Sequence, residues 1–220
     1  MNLRPSKPTV SVLILCFLCF ILLMIRVKIT GSFIGLFLVW NLFLAITPLF
    51  FILLAKKTFE LFDSKKPIAR LIIYTFMIAW LLFFPNSPYI ITDLMHLGHL
   101  PKNLLWFDSV GIFVTALTGL CVGLYSIFIF QTLLQKLVGN FKAWFFVVLS
   151  MILSGFGLYL GRFARFNSWD AFSKPFSLLK QSIEISQTPL AIQTTAVFSI
   201  VLIGVYLSFY NLISVKNELD

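Results

Sequence analysis

Long apolar runs separated by short polar stretches dominate the chain. A membrane-spanning helix needs about 20 predominantly apolar residues at about 1.5 Å rise each. Six runs meet or approach that length, at 9–25, 33–55, 68–84, 109–133, 143–161 and 190–213. The pattern predicts an all-α, polytopic transmembrane bundle of about six spanning helices, forming a single integral membrane domain over 1–220. The first run is bordered by Arg4 and Lys7 before it and by Arg26 and Lys28 after it. That resembles a signal peptide, but no small-x-small cleavage site follows, so the run reads as a retained helix. Pro48 is expected to kink the second helix, which a bundle tolerates. Gly111, Thr115 and Gly119 recur every fourth residue, a face suited to close helix contact, and Ser150, Ser154, Gly155 and Gly157 supply small residues to the fifth run.

Composition strengthens the membrane reading. The chain is 60% hydrophobic and 11% charged, with a mean hydropathy of +0.98, whereas soluble domains carry about 25% charged residues. The 26 phenylalanines suit lipid contact and helix packing and mark no cofactor box. The net charge of +9 would suggest nucleic acid in a soluble domain. Here the basic residues border apolar runs, where they meet anionic head groups and set topology. Membrane lipids are therefore the expected partners, a membrane-protein partner is a further one, and nucleic acid is not expected. Lys56, Lys57, Lys65, Lys66 and Arg70 form the densest basic patch, which predicts cytoplasmic termini. Cys16, Cys19 and Cys121 all lie inside apolar runs. The "CFLC" pair lacks the exposed thiolate that redox or metal chemistry needs, so it reads as packing.

With six crossings, the segments after the third and fifth helices share one side of the membrane. The first is "PNSPYIITDLMHLGHLPKNLLWFD", 85–108, and the second begins "RFARFNSWD", 162–170. Between them they hold both histidines, His96 and His99, together with Asp93, Asp108, Asp170, Arg162, Arg165, Asn86 and Asn167. "NSPY" reads as a helix start, with Asn86 or Ser87 accepting from a free backbone N–H and Pro88 in the first turn. The residues that follow predict a short helix ending near Gly98, interfacial or re-entrant. Tyr89, Asp93 and His96 would share one stripe of it. One reading makes that stripe the wet edge of an interfacial helix. The other makes Asp93 and His96, with Asp170 or Asp108, a catalytic or binding pocket. The Asp-x-x-His spacing could hold a metal or orient an imidazole as a general base. Arg162 and Arg165 either anchor a helix end or hold an anionic group. Asn86, Tyr89, Asn167 and Asp108 are further ligand-binding candidates. No cofactor is identified.

"FPNSPYIITDLMHL", "WFDS" and "GRFARFNSWD" together resemble the bacterial multi-pass membrane family known as domain of unknown function 1361. The resemblance runs from about the second helix to the sixth. It implies a bacterial inner or plasma membrane protein of several helices, and it carries no catalytic assignment. The leading expectation is an integral membrane protein whose two same-side polar segments bind an anionic or lipid-linked ligand. Alternatives are an enzyme, metal- or Asp/His-dependent, acting at the outer leaflet, and a non-catalytic partner or scaffold subunit. A carrier is disfavoured, because the apolar runs are almost free of ionisable groups.

Overall fold

The computed structural model describes residues 7–99 and 102–219, the side chains of His99 and of 214–219 excepted. Arg4 and the side chains of His99 and Lys216 therefore lie outside the described residues. Helix α1 runs Lys7–Thr30, α2 Leu36–Leu61 and α3 Pro67–Phe83; the short α4, Asn86–Tyr89, passes into a 3-10 segment, Ile90–His99. After a 3-10 turn at Lys102–Leu104 come α5, Leu105–Val138, α6, Asn140–Arg162, the short α7, Asp170–Ser173, α8, Pro175–Ser186, and α9, Pro189–Leu219. There is no strand among the described residues. Six helical stretches are long and apolar enough to cross a membrane. The protein is an all-α bundle.

The bundle is organised around α5, which packs against α1, α2, α4, the 3-10 segment and α6. Its buried face carries Thr118, Val122, Ser126, Ile127 and Gln131. Trp80 of α3 is fully buried against it, stacked on Phe130 with ring centroids 4.0 Å apart. Its indole N–H donates to Ser126 Oγ at 3.1 Å, so the ring packs without stranding its polar edge. On the other flank, Tyr206 of α9 donates to Gln131. Gly155 lets α6 meet α9, because a Cβ there would lie 2.7 Å from Thr195 O. Pro48 sits buried within a continuous α2, its missing donor tolerated among neighbouring helices.

The segment after the third helix, expected to start a separate short helix at "NSPY", is instead a continuation of α3. Phe84 and Pro85 keep right-handed helical dihedrals, and the helical path runs on through α4 and the 3-10 segment. The two prolines, Pro85 and Pro88, lack the N–H that regular α-helix bonding uses, and tighter 3-10 geometry follows them. This stretch lies inside the bundle: Ser87, Pro88, Ile90, Thr92 and Asp93 are buried between α2 and α5. Gly119 allows the close approach, since a Cβ there would stand 2.6 Å from Ser87 O. Gly111, expected on the same contact face, borders open space instead.

The expected cap is also corrected. Pro85 occupies the N-cap position with no side-chain cap. Asn86 Nδ2 donates to Phe83 O at 2.9 Å, and Ser87 Oγ donates to Ala45 O of α2 at 2.7 Å. With the chain already helical at Phe84 there is no fresh helix start to cap, so both side chains tie the segment to its neighbours. A second element went unforeseen. The stretch 175–186 forms α8, whose Phe176, Leu179 and Ile183 make an exposed apolar stripe.

Candidate functional site

The carboxyl ends of α1, α3 and α6 and the amino ends of α2, α5 and α9 share one end of the bundle. Asp93 is buried there with no exposed surface. Its Oδ2 accepts from Asn41 Nδ2 of α2 at 2.7 Å, and its Oδ1 lies 3.6 Å from Arg162 Nη1 at the end of α6. Arg162 Nη1 is also 3.2 Å from His96 Nε2. His96 and Asp93 are three residues apart, which 3-10 geometry places one above the other. Their separation of 3.9 Å exceeds hydrogen-bond length.

This arrangement defines what the trio does. A guanidinium has donors only, so it meets His96 Nε2 as an acceptor. The Nε2 lone pair is then held by Arg162 and is not presented to a substrate. A cation placed between Asp93 and His96 would sit beside that same guanidinium, and among the described residues no cluster of three or more His, Cys, Asp or Glu is suited to a metal. The trio ties the 3-10 segment to α6 and, through Asn41, to α2. Phe37 of α2 closes it on the other side, its ring centroid 5.1 Å from that of His96.

Next to the trio opens a cleft of about 310 Å³. Asn41, Asn86, Asn167, Ser168 and Tyr89 give it polar groups. Trp40 and Trp169 also border it, edge to face with centroids 6.2 Å apart. Asn86 Nδ2 reaches across to Ser168 Oγ at 3.0 Å, joining the two polar segments directly. Away from these groups the wall is apolar, with Leu81, Leu82, Leu153, Phe156 and Leu160. Gly157 and Gly161 let α6 approach, since a Cβ at each would lie 2.6 Å from Pro85 Cγ and 3.1 Å from the Tyr89 ring.

The remaining candidates go elsewhere. Asp170 closes its own turn, accepting from Asn167 N at 2.7 Å, and does not join Asp93. Ser173 Oγ lies 3.5 Å from its other carboxylate oxygen, so the side chain is spent within its own turn. Arg165 is exposed, and its φ of 60° turns the chain after α6. Asp108 is not a loop residue. It lies buried in the first turn of α5 and takes two hydrogen bonds from Arg26 of α1, at 2.5 Å and 3.2 Å. The apolar run around Arg26 demands a counter-charge once α1 packs, and Asp108 supplies it. The residues that sequence reasoning passed over were Asn41, Trp40, Ser168 and Arg26. A lone carboxamide in an apolar run was the available signal for Asn41.

Six crossing-length helices around a buried polar cluster define a multi-pass α-helical membrane protein, with a cleft that is polar at one end and apolar at the other. Residues 40–207 match the family model described as "Protein of unknown function (DUF1361)", and the chain belongs to that family. No curated protein and no solved structure matches it.

Proposed function

We propose that the protein binds a lipid-linked ligand whose uncharged, hydroxyl-bearing head lies in the cleft between α2, α4 and α6. The observation that carries this reading is the cleft's lining. It contains amides, hydroxyls and indoles at one end and leucines at the other, with no Lys, Arg, His, Asp or Glu. Asn41 and Asn86 direct their Nδ2 donors to protein acceptors. Their carbonyl oxygens remain to accept from ligand hydroxyls. Trp40 and Trp169 offer flat faces to a ring. Leu81, Leu82, Leu153 and Phe156 continue the cleft toward the lipid for a tail. The Asp93–Arg162–His96 trio holds the wall in place, so its charges are matched inside the protein and not offered to an anion.

The test is a titration of the purified protein with a fluorescent alkyl glycoside and an alkyl phosphate of equal chain length. Saturable glycoside binding is expected, weakened roughly tenfold by Asn86→Ala or Trp169→Ala, a loss of about 1.4 kcal/mol. Preference for the phosphate would overturn the uncharged-head reading, and binding of neither would end it.

The site is proposed to face the outer leaflet of a bacterial plasma membrane, with both termini cytoplasmic. The support is the basic segment between α2 and α3, at the opposite end of the bundle from the cleft. Single cysteines at Ser64 and Asn103 should react with a membrane-impermeant maleimide in intact cells only at position 103. Labelling confined to position 64 would invert the topology.

A further inference from the structure

A second cavity of about 180 Å³ lies between α1, α2 and α5, away from the cleft above. Leu22, Leu23, Leu38 and Leu42 form much of its wall, and Arg26 and Asp108 are the charged residues that border it. Arg26 directs Nε and Nη2 to Asp108, but its Nη1 is buried with no hydrogen-bond partner. A buried donor left unpaired is costly. The cavity is too large for one water and too apolar to order several. Phe20, Ile34 and Val39 line it and are also exposed on the outer surface of the bundle, so it reaches the lipid-facing side between α1 and α2.

We propose that this cavity binds an uncharged lipophilic molecule through a carbonyl oxygen, which accepts from Arg26 Nη1. Charge decides the class. Arg26 and Asp108 neutralise each other, so an anion would bring an uncompensated negative charge into an apolar space. A neutral carbonyl completes the guanidinium at no such cost. Size decides the body. An apolar cavity of about 150 Å³ takes a benzene-sized molecule, so this one fits a single ring or a short stretch of acyl chain. The carbonyl could come from a quinone-type ring or from the ester of a neutral acylglycerol.

The experiment follows thermal unfolding of the purified full chain with three probes: a decyl-substituted 1,4-benzoquinone, dioctanoylglycerol and decanoate. One of the neutral probes should raise the unfolding midpoint saturably, and which one does so separates the two sources. Decanoate should not. Two variants report on the site. Gly111 borders the cavity with open space at its Cβ, so Gly111→Leu should fill the cavity, leave the fold intact and abolish the shift. The paired change Arg26→Met with Asp108→Leu removes the donor and its counter-charge together and should weaken binding at least tenfold. The proposal is overturned if decanoate alone binds, if no probe binds, or if the neutral probe binds both variants as it binds the natural protein.

Discussion

Asp108→Ala is expected to destabilise the bundle by about 3–5 kcal/mol, the cost of leaving a buried charge without its partner. Arg26 is only 7% exposed, and both of its described side-chain hydrogen bonds go to the Asp108 carboxylate. While α1 is docked the guanidinium lies buried beside an apolar cavity that offers it no other charge. Either α1 detaches or the charge stays buried and unmatched. Arg26→Met should cost a similar amount for the same reason, now exerted on Asp108. Changing both residues to apolar ones should recover most of the loss, because two well-packed apolar side chains replace an ion pair at little net cost. The measurement is the thermal midpoint in detergent for the two single variants and the double. Losses that simply add would show that the two residues do not act as a pair.

The second large effect is expected at Asp93. Asp93→Ala strands the Asn41 amide and removes the carboxylate facing Arg162, at 2.7 Å and 3.6 Å. The cost should be about 1–3 kcal/mol, the range for an orphaned buried polar group. It falls below that at Asp108 because the Arg162 side chain keeps 15% exposure and can reach water once released. Asp93→Asn should retain part of the stability through Asn41 while losing the attraction to Arg162. Because the trio holds the cleft wall, Asp93→Ala should also weaken glycoside binding although Asp93 does not line the cleft. Unchanged affinity in a folded Asp93→Ala protein would separate the trio from the cleft.

The helices were legible because lipid imposes a length and a polarity that composition alone can satisfy. Each apolar run read from the sequence overlaps a helix; α1, α5, α6 and α9 extend past it at both ends, while α2 begins later than its run and continues to Leu61. That the segments holding Asn86 and Ser168 share one end followed from counting crossings; the contacts of Asn86 with Ser168 and of Asp93 with Arg162 did not. What the sequence hid was depth. The residues after "AWLLFF" read as a short helix either interfacial or re-entrant, and the inward choice rests on partners on another helix, Ala45 O and Asn41, which bind Ser87 and Asp93. The same blindness applies to Asp108. A carboxylate near a helix boundary looks solvated unless its counter-ion is known, and Arg26 lies 82 positions away. The α8 helix escaped notice because its apolar residues are too few to resemble a crossing.

That separation of 82 positions also bears on how the chain is made. Synthesis runs from the amino end, so Arg26 leaves the ribosome long before the residue that neutralises it. Until Asp108 emerges, the guanidinium lacks its counter-charge and stays solvated by head groups or water. Final seating of α1 therefore waits on the arrival of α5, and the two ends of this ion pair act as a clasp that closes once both are present.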